Sequence, residues 1–287
     1  MTSHADLIAE ATERLQSTST SARLDAEVLL RHVTGLDRTG LFLALRETAS
    51  ADTQERFRSL VDRRSAGAPI AYLTGTREFM GMPFAVTPDV LVPRPETELL
   101  VEWALAMLPR FDHRPLRVAD VGAGSGAIAV SVAALAEVPV TMTAVEPSAG
   151  AREVIARNAD SLLPPERRLR FRITDDDLLA TTVGPFKLVL ANLPYLTPAQ
   201  IAENPDLAAE PRLALDGGPD GLDLIKRLIK QLPERAAPSC ATGLEVDPSQ
   251  ARRVRALLEA ALPDAEVSSI RDYAGFERHI VATRLKD

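Results

Sequence analysis

Apolar positions recur at helical intervals up to about residue 75. Leu7, Ile8, Ala11 and Leu15 share one face of a first predicted helix. Leu24, Val28, Leu29 and His32 continue along a second, with Gly35 as its C-terminal cap. Asp52 is placed to cap a third, which carries Phe57, Leu60 and Val61 and ends near Gly67. The pattern then shortens. Glu78-Phe79-Met80 and Phe84-Ala85-Val86 flank Gly81-Met82-Pro83, as in a hairpin. Pro88, Pro93 and Pro95 punctuate a loop before a predicted helix from about Glu96 to Leu108.

From Leu116 onward short apolar runs alternate with helical periods. Strands are predicted at 116–121, 140–145, 170–174, 187–191, near 243–246, 266–270 and 279–284. Helices are predicted at 126–135, 148–158, 222–232 and 249–262. Such alternation predicts an α/β fold, a mostly parallel sheet with helices on both faces. The expected division is a helical domain over 1–75, a hairpin connector over 76–95 and an α/β domain over 96–287.

Composition narrows the classes. The 287 residues are 46% hydrophobic, enough to bury a sizeable core. A single cysteine, Cys240, excludes an internal disulfide and fits a reducing compartment. The first residues, Met1 to Asp6, lack the basic and apolar regions of a signal peptide, and no uncharged apolar run approaches a membrane span. A cytoplasmic protein without membrane contact is expected. The net charge of -7 argues against a broad grip on nucleic acid, which relies on Lys and Arg neutralising phosphates. His4, His32, His113 and His279 are scattered and make no metal-ligand spacing with Cys240, so no metal site is expected.

Two predicted strand exits carry candidate chemistry. Asp120-Val121-Gly122-Ala123-Gly124-Ser125-Gly126 joins a strand to a helix, and its alternating glycines allow a tight turn and close approach to a ligand. Gly122-x-Gly124-x-x-Ala127 also satisfies a dinucleotide fingerprint. Glu146 ends the next strand, where an acid would hold ribose hydroxyls. A nicotinamide dinucleotide and a nucleoside cofactor such as S-adenosylmethionine (AdoMet) both remain open. Asp177 and Leu178 follow the third strand, either to meet an adenine edge and face or as part of a solvated acidic turn. The second exit is Asn192-Leu193-Pro194-Tyr195, after the apolar run Leu188-Val189-Leu190. Ligand crevices of open α/β sheets lie outside the carboxyl ends of strands, so Asn192 and Tyr195 are candidates for a reaction site.

With the glycine loop, Asn-Leu-Pro-Tyr resembles the Asn-Pro-Pro-Tyr signature of methyltransferases that act on planar amide or amino nitrogens. Further segments carry the likeness: Tyr72 to Phe79, Val92 to Glu98, Glu210 to Leu222 and Arg271-Asp272-Tyr273. Together they resemble the release factor glutamine methyltransferases, the PrmC/HemK family, over nearly the whole chain.

The resemblance implies a Rossmann-like AdoMet-dependent sheet and a helical N-terminal domain that docks the protein substrate. The reaction it implies moves a methyl group to the glutamine side chain in the Gly-Gly-Gln motif of peptide chain release factors. The cofactor would meet Gly122, Ala123, Gly124, Ser125, Gly126, Glu146, Asp177, Leu178 and Asn192. Asn192 and the Leu193 carbonyl would accept the target amide's N–H bonds, and Tyr195 would pack on its plane. Pro194 biases Leu193 toward extended backbone. Arg94, Glu96 and Glu98 would lie near the site mouth, or simply start a helix with acids in its first turn. A monomer is expected. Leu193 departs from the usual proline but keeps the carbonyl. The stretch 233–250 looks short of the family's glycine-rich turn and long strand. Other readings are methylation of another glutamine or of adenine in DNA, an NAD-dependent oxidoreductase, and a non-catalytic binding protein.

Overall fold

The structure, a computed structural model, describes residues 2–112 and 115–285. Met1 and His113 lie outside the described residues. The chain forms two compact units, divided between Thr76 and Arg77.

The first unit holds α1 (His4–Leu15), α2 (Ala22–Thr34), α3 (Arg38–Leu43), α4 (Ala51–Ser65) and α5 (Ile70–Thr74). Leu7, Leu15, Leu29, Leu30 and Phe57 anchor its core. The buried face of α2 differs from the expected one. Leu24 is 60% exposed and His32 is exposed, while Ala22, Asp25, Ala26, Leu29, Leu30 and Val33 are buried. Small alanines let α2 pack closely, and Asp25 is satisfied by Ser19, Ser21 and Arg64. Gly35 caps α2 in the left-handed region, as its position predicts. The cap of α4 is Ser50, whose hydroxyl accepts from the Thr53 N–H; Asp52 sits in the first turn.

At the start of the second unit, β1 (Thr76–Phe79), whose first residue closes the first unit, and β2 (Met82–Ala85) form a hairpin. Its turn is Met80-Gly81, both at positive φ, so Met82 and Pro83 belong to the strand rather than the turn. Glu98 accepts from the Met80 N–H at 2.7 Å, which helps hold that turn. From Arg77 onward, the stretch read as a connector is part of this unit: Phe79 and Phe84 lie in its core and meet edge to face.

Next come α6 (Pro95–Met107), β3 (Leu116–Val121), α7 (Ala127–Leu135), β4 (Val140–Val145), α8 (Ala149–Leu162), α9 (Pro165–Arg168), β5 (Phe171–Thr174) and β6 (Phe186–Ala191). They are followed by α10 (Pro198–Glu203), α11 (Asp223–Arg235), β7 (Ala236–Glu245), α12 (Ala251–Ala261), β8 (Glu266–Arg271) and β9 (Glu277–Arg284). Seven strands form one sheet in the order β5-β4-β3-β6-β7-β9-β8, parallel from β5 to β7, with β9 antiparallel to both its neighbours.

Strand alternation builds two cores. Leu116, Val118, Leu188 and Leu190 face α6, α7 and α8, whereas Ala119, Val121, Val189 and Ala191 face α11 and α12. Both sets are buried, which explains the unbroken apolar run Leu188 to Ala191 in β6. β7 corrects the expected short strand near 243–246, for it is ten residues long. Phe186 pairs with Ala236, but Leu188 pairs with Ala241, so a bulge takes up the irregular segment Ala237 to Cys240.

Candidate active site

The strand order reverses between β3 and β6, and crevices form where it does. Val121 and Ala191 are register partners at the ends of these strands. The glycine loop and the Asn192 turn therefore leave the sheet side by side. They line one cavity of about 370 Å³, within the size range of small-molecule sites.

Gly122 explains how closely the two turns meet. Its φ is +74°, and a Cβ there would lie 2.8 Å from Leu193 Cδ2. Leu193 is buried beside the loop, so its side chain, and not only its carbonyl, links the two turns. The Gly122 and Ala123 N–H groups both donate to the Val145 carbonyl, which ties the loop to β4. Glu146 is 7% exposed and lies on the cavity wall. One of its oxygens accepts from the Gly124 N–H at 2.8 Å, the other from the Ser148 N–H at 2.9 Å. A carboxylate has about four lone-pair sites, so capacity remains for ribose hydroxyls.

Ala123, Ser125, Asp177 and Leu178 also line the cavity; Leu178 is buried and apolar. Asp177 is exposed and ion-paired with Arg227. Gly126 is the N-cap of α7, in the left-handed region behind the loop.

Asn192 Nδ2 donates to Thr97 Oγ1 at 3.1 Å, and Thr97 donates to Glu245 Oε2 at 2.7 Å. The Tyr195 hydroxyl donates to the other oxygen of Glu245 at 3.4 Å. Burial, reinforced by the Glu245 charge, pushes the Tyr195 phenol well above its ordinary pKa, so it stays a donor. Pro194 lines the cavity; Tyr195, expected to pack on the target's plane, is not among the lining residues and packs against the core under α11 and α12. His279 Nε2 lies 3.4 Å from Glu245 Oε2 without meeting hydrogen-bond geometry.

The turn is buttressed by the segment 210–222. The Leu196 N–H donates to the Leu215 carbonyl and the Gly217 N–H to the Leu196 carbonyl. Gly221, at φ +69°, passes so near the Tyr195 carbonyl that a Cβ would lie 2.2 Å from it. Gln250 Nε2 donates to the Tyr195 carbonyl at 2.8 Å. Arg94 lines the cavity and is ion-paired with Glu210, whose second oxygen accepts from the Val92 N–H. Glu96 is not among the cavity-lining residues, and Glu98 serves the hairpin turn. Arg94, the N-cap of α6, and Thr97 are three positions apart and share one side, and Glu96 between them falls on another; Glu98 is taken up by the Met80 N–H.

Sequence reasoning missed Thr97, Glu245, Gln250 and Asn158. Asn158, buried on α8, bonds both backbone groups of Ala85 and the Ser125 carbonyl, joining the hairpin to the glycine loop. The available signal was a polar residue on an apolar helix face or strand end. Among the described residues, no group of three or more His, Cys, Asp or Glu side chains is placed to hold a metal.

Comparison with known proteins gives the family. Residues 6–75 match the PrmC N-terminal domain. The release factor glutamine methyltransferase of Burkholderia pseudomallei is 44% identical over 277 residues, covering 94% of each chain. The chain belongs to the release factor glutamine methyltransferase family. The Bordetella pertussis relative of the same name is 42% identical over 259 residues, 89% of this chain and 93% of that one. A 16S rRNA methyltransferase from T. thermophilus, solved with AdoMet and guanosine, shares the fold at 16% identity and a TM-score of 0.51. It covers 74% of this chain and 50% of that one. Membership of this family makes the chain an enzyme, a methyltransferase, and decides against the oxidoreductase and non-catalytic readings.

Proposed function

We propose that the enzyme transfers a methyl group from AdoMet to the side-chain amide nitrogen of the glutamine in the Gly-Gly-Gln motif of peptide chain release factors. The observation that carries this reading is the adjacency of the glycine loop and the Asn192 turn on one cavity wall. The residues fit AdoMet: Glu146 has lone pairs for ribose hydroxyls, Leu178 offers an apolar face for adenine, and Gly122 and Gly124 allow close approach, while Gly126 packs on Ile155. AdoMet supplies an electrophilic methyl on a sulfonium.

An amide nitrogen is a poor nucleophile because its lone pair is delocalised. Asn192 Oδ1 and the Leu193 carbonyl accept its two N–H bonds and aim the nitrogen at the methyl carbon. The N–C bond forms as the S–C bond breaks, and the proton then leaves to water. Positioning of this order contributes several kcal/mol, up to about 7–11 in the best cases. No general base is required before transfer.

In this reading the first unit docks the release factor, and its exposed Phe42 and Leu43 on α3 are suited to contact. The enzyme works in the cytoplasm. The buried Cys240 fits that setting, and no helix among the described residues is long and apolar enough to cross a membrane.

The test is incubation with methyl-labelled AdoMet and a purified release factor. Label should reach the intact factor and not a variant whose Gly-Gly-Gln glutamine is glutamate. Equal labelling of both, or of neither, contradicts the proposal.

A further inference from the structure

We infer that Thr97 and Glu245 are positioning residues that decide which way the Asn192 amide turns. The inference rests on the proposed reaction and extends it to residues behind the cavity wall. Asn has a donor end and an acceptor end of nearly equal size, and only the acceptor can receive a target N–H. The neighbour must therefore discriminate between them.

Thr97 is 4% exposed and Glu245 2% exposed, so water does not compete. Thr97 has a single hydroxyl proton, and it goes to Glu245 Oε2 at 2.7 Å. A carboxylate accepts only, which fixes the direction of that bond. Thr97 Oγ1 is left with lone pairs alone toward Asn192 and takes the Nδ2 donor at 3.1 Å. A flipped amide would set oxygen against oxygen at that distance. Nδ2 is thus held inward and Oδ1 faces the cavity.

The same carboxylate receives the Tyr195 hydroxyl on its other oxygen. One buried group thereby orients both polar side chains of the transfer turn. α6 brings Thr97 and β7 brings Glu245, from sequence positions remote from the turn itself.

Three variants test the relay. Thr97→Val keeps the shape and removes the hydroxyl; Thr97→Ser restores it. Glu245→Gln keeps size but can donate, which frees the hydroxyl to point at Oδ1. Thr97→Val should lower kcat by roughly 10- to 100-fold, and Thr97→Ser should recover to within about threefold of wild type. Glu245→Gln should lower kcat, and AdoMet affinity should hold in all three. In an Asn192→Ala background, Thr97→Val should have no further effect on kcat.

A second readout needs no methyl acceptor. The Asn192 side-chain amide should give a ¹⁵N–¹H signal protected from solvent exchange in wild type and Thr97→Ser, and lose protection in Thr97→Val. Wild-type kcat in Thr97→Val, or a Thr97→Ser variant as poor as Thr97→Val, overturns the relay. So does unchanged amide protection in Thr97→Val. A wild-type protein that never methylates the glutamine sinks the proposed reaction, while the amide signal still judges the relay.

Discussion

Gly122 carries two constraints at once. Its φ of +74° disfavours any side chain, and Leu193 Cδ2 occupies the space a Cβ would need. Gly122→Ala should cost about 1–3 kcal/mol of stability and weaken AdoMet binding. Adding Leu193→Ala relieves the clash but not the φ penalty, so denaturant titration should show partial recovery; strict additivity would contradict the contact. Asn192→Ala should reduce kcat by roughly 100-fold or more and spare AdoMet binding. Glu146→Ala should do the reverse, raising the AdoMet Kd by roughly 10- to 100-fold as measured by calorimetry.

At this scale the sequence marked most of its candidates on the cavity wall, though Glu96, Tyr195 and Gly126 do not line it, and it hid the residues that support the wall. Asn192, Glu146 and the glycines stand at strand exits, where local pattern marks them. Thr97 and Glu245 acquire meaning only once α6 and β7 are packed, because a contact across 148 residues leaves no local trace.

Among the elements, β3, β4 and β6 were legible because short stretches rich in Val, Leu and Ala are bounded by turn residues, and in β6 the run Leu188 to Ala191 is unbroken and buried on both faces. β7 was not. Its first half, Ala-Ala-Pro-Ser-Cys, is weak in β-forming residues: Ala236 pairs with Phe186, the bulge follows, and β9 joins only from Cys240. The face of α2 was misread because two alanines and a paired aspartate do the packing that periodicity assigns to larger apolar groups.

The segment 210–222 was legible only through resemblance, and its physical role is to brace the transfer turn. Gln250, just ahead of α12, completes that brace through the carbonyls of Tyr195 and Asp220. Gln250→Ala leaves the half-buried Tyr195 carbonyl short of a donor. Stability should fall by about 1–3 kcal/mol, and kcat should fall while AdoMet affinity holds. An unchanged kcat would remove Gln250 from the support of the turn.

For the whole molecule, Asp120 links the site to stability. Burial raises its carboxyl from 3.8 to about 7; the Ala129 N–H opposes the rise and the Glu146 charge adds to it. The folded chain therefore keeps a proton that the unfolded chain has released over that interval. Stability should fall as pH rises from about 4 to 7, by up to about 1.4 kcal/mol per pH unit from this group. Asp120→Asn should flatten that slope in denaturant titrations, and an identical slope in both proteins would contradict it.

One assay reports on the whole enzyme, which must both receive a release factor and transfer the methyl group. The most direct measurement is mass spectrometry of proteolysed release factor after incubation with enzyme and AdoMet. A gain of one methyl group on the Gly-Gly-Gln glutamine is expected, lost with Asn192→Ala. A methyl group on any other residue, or an unmodified Gly-Gly-Gln peptide, would contradict it.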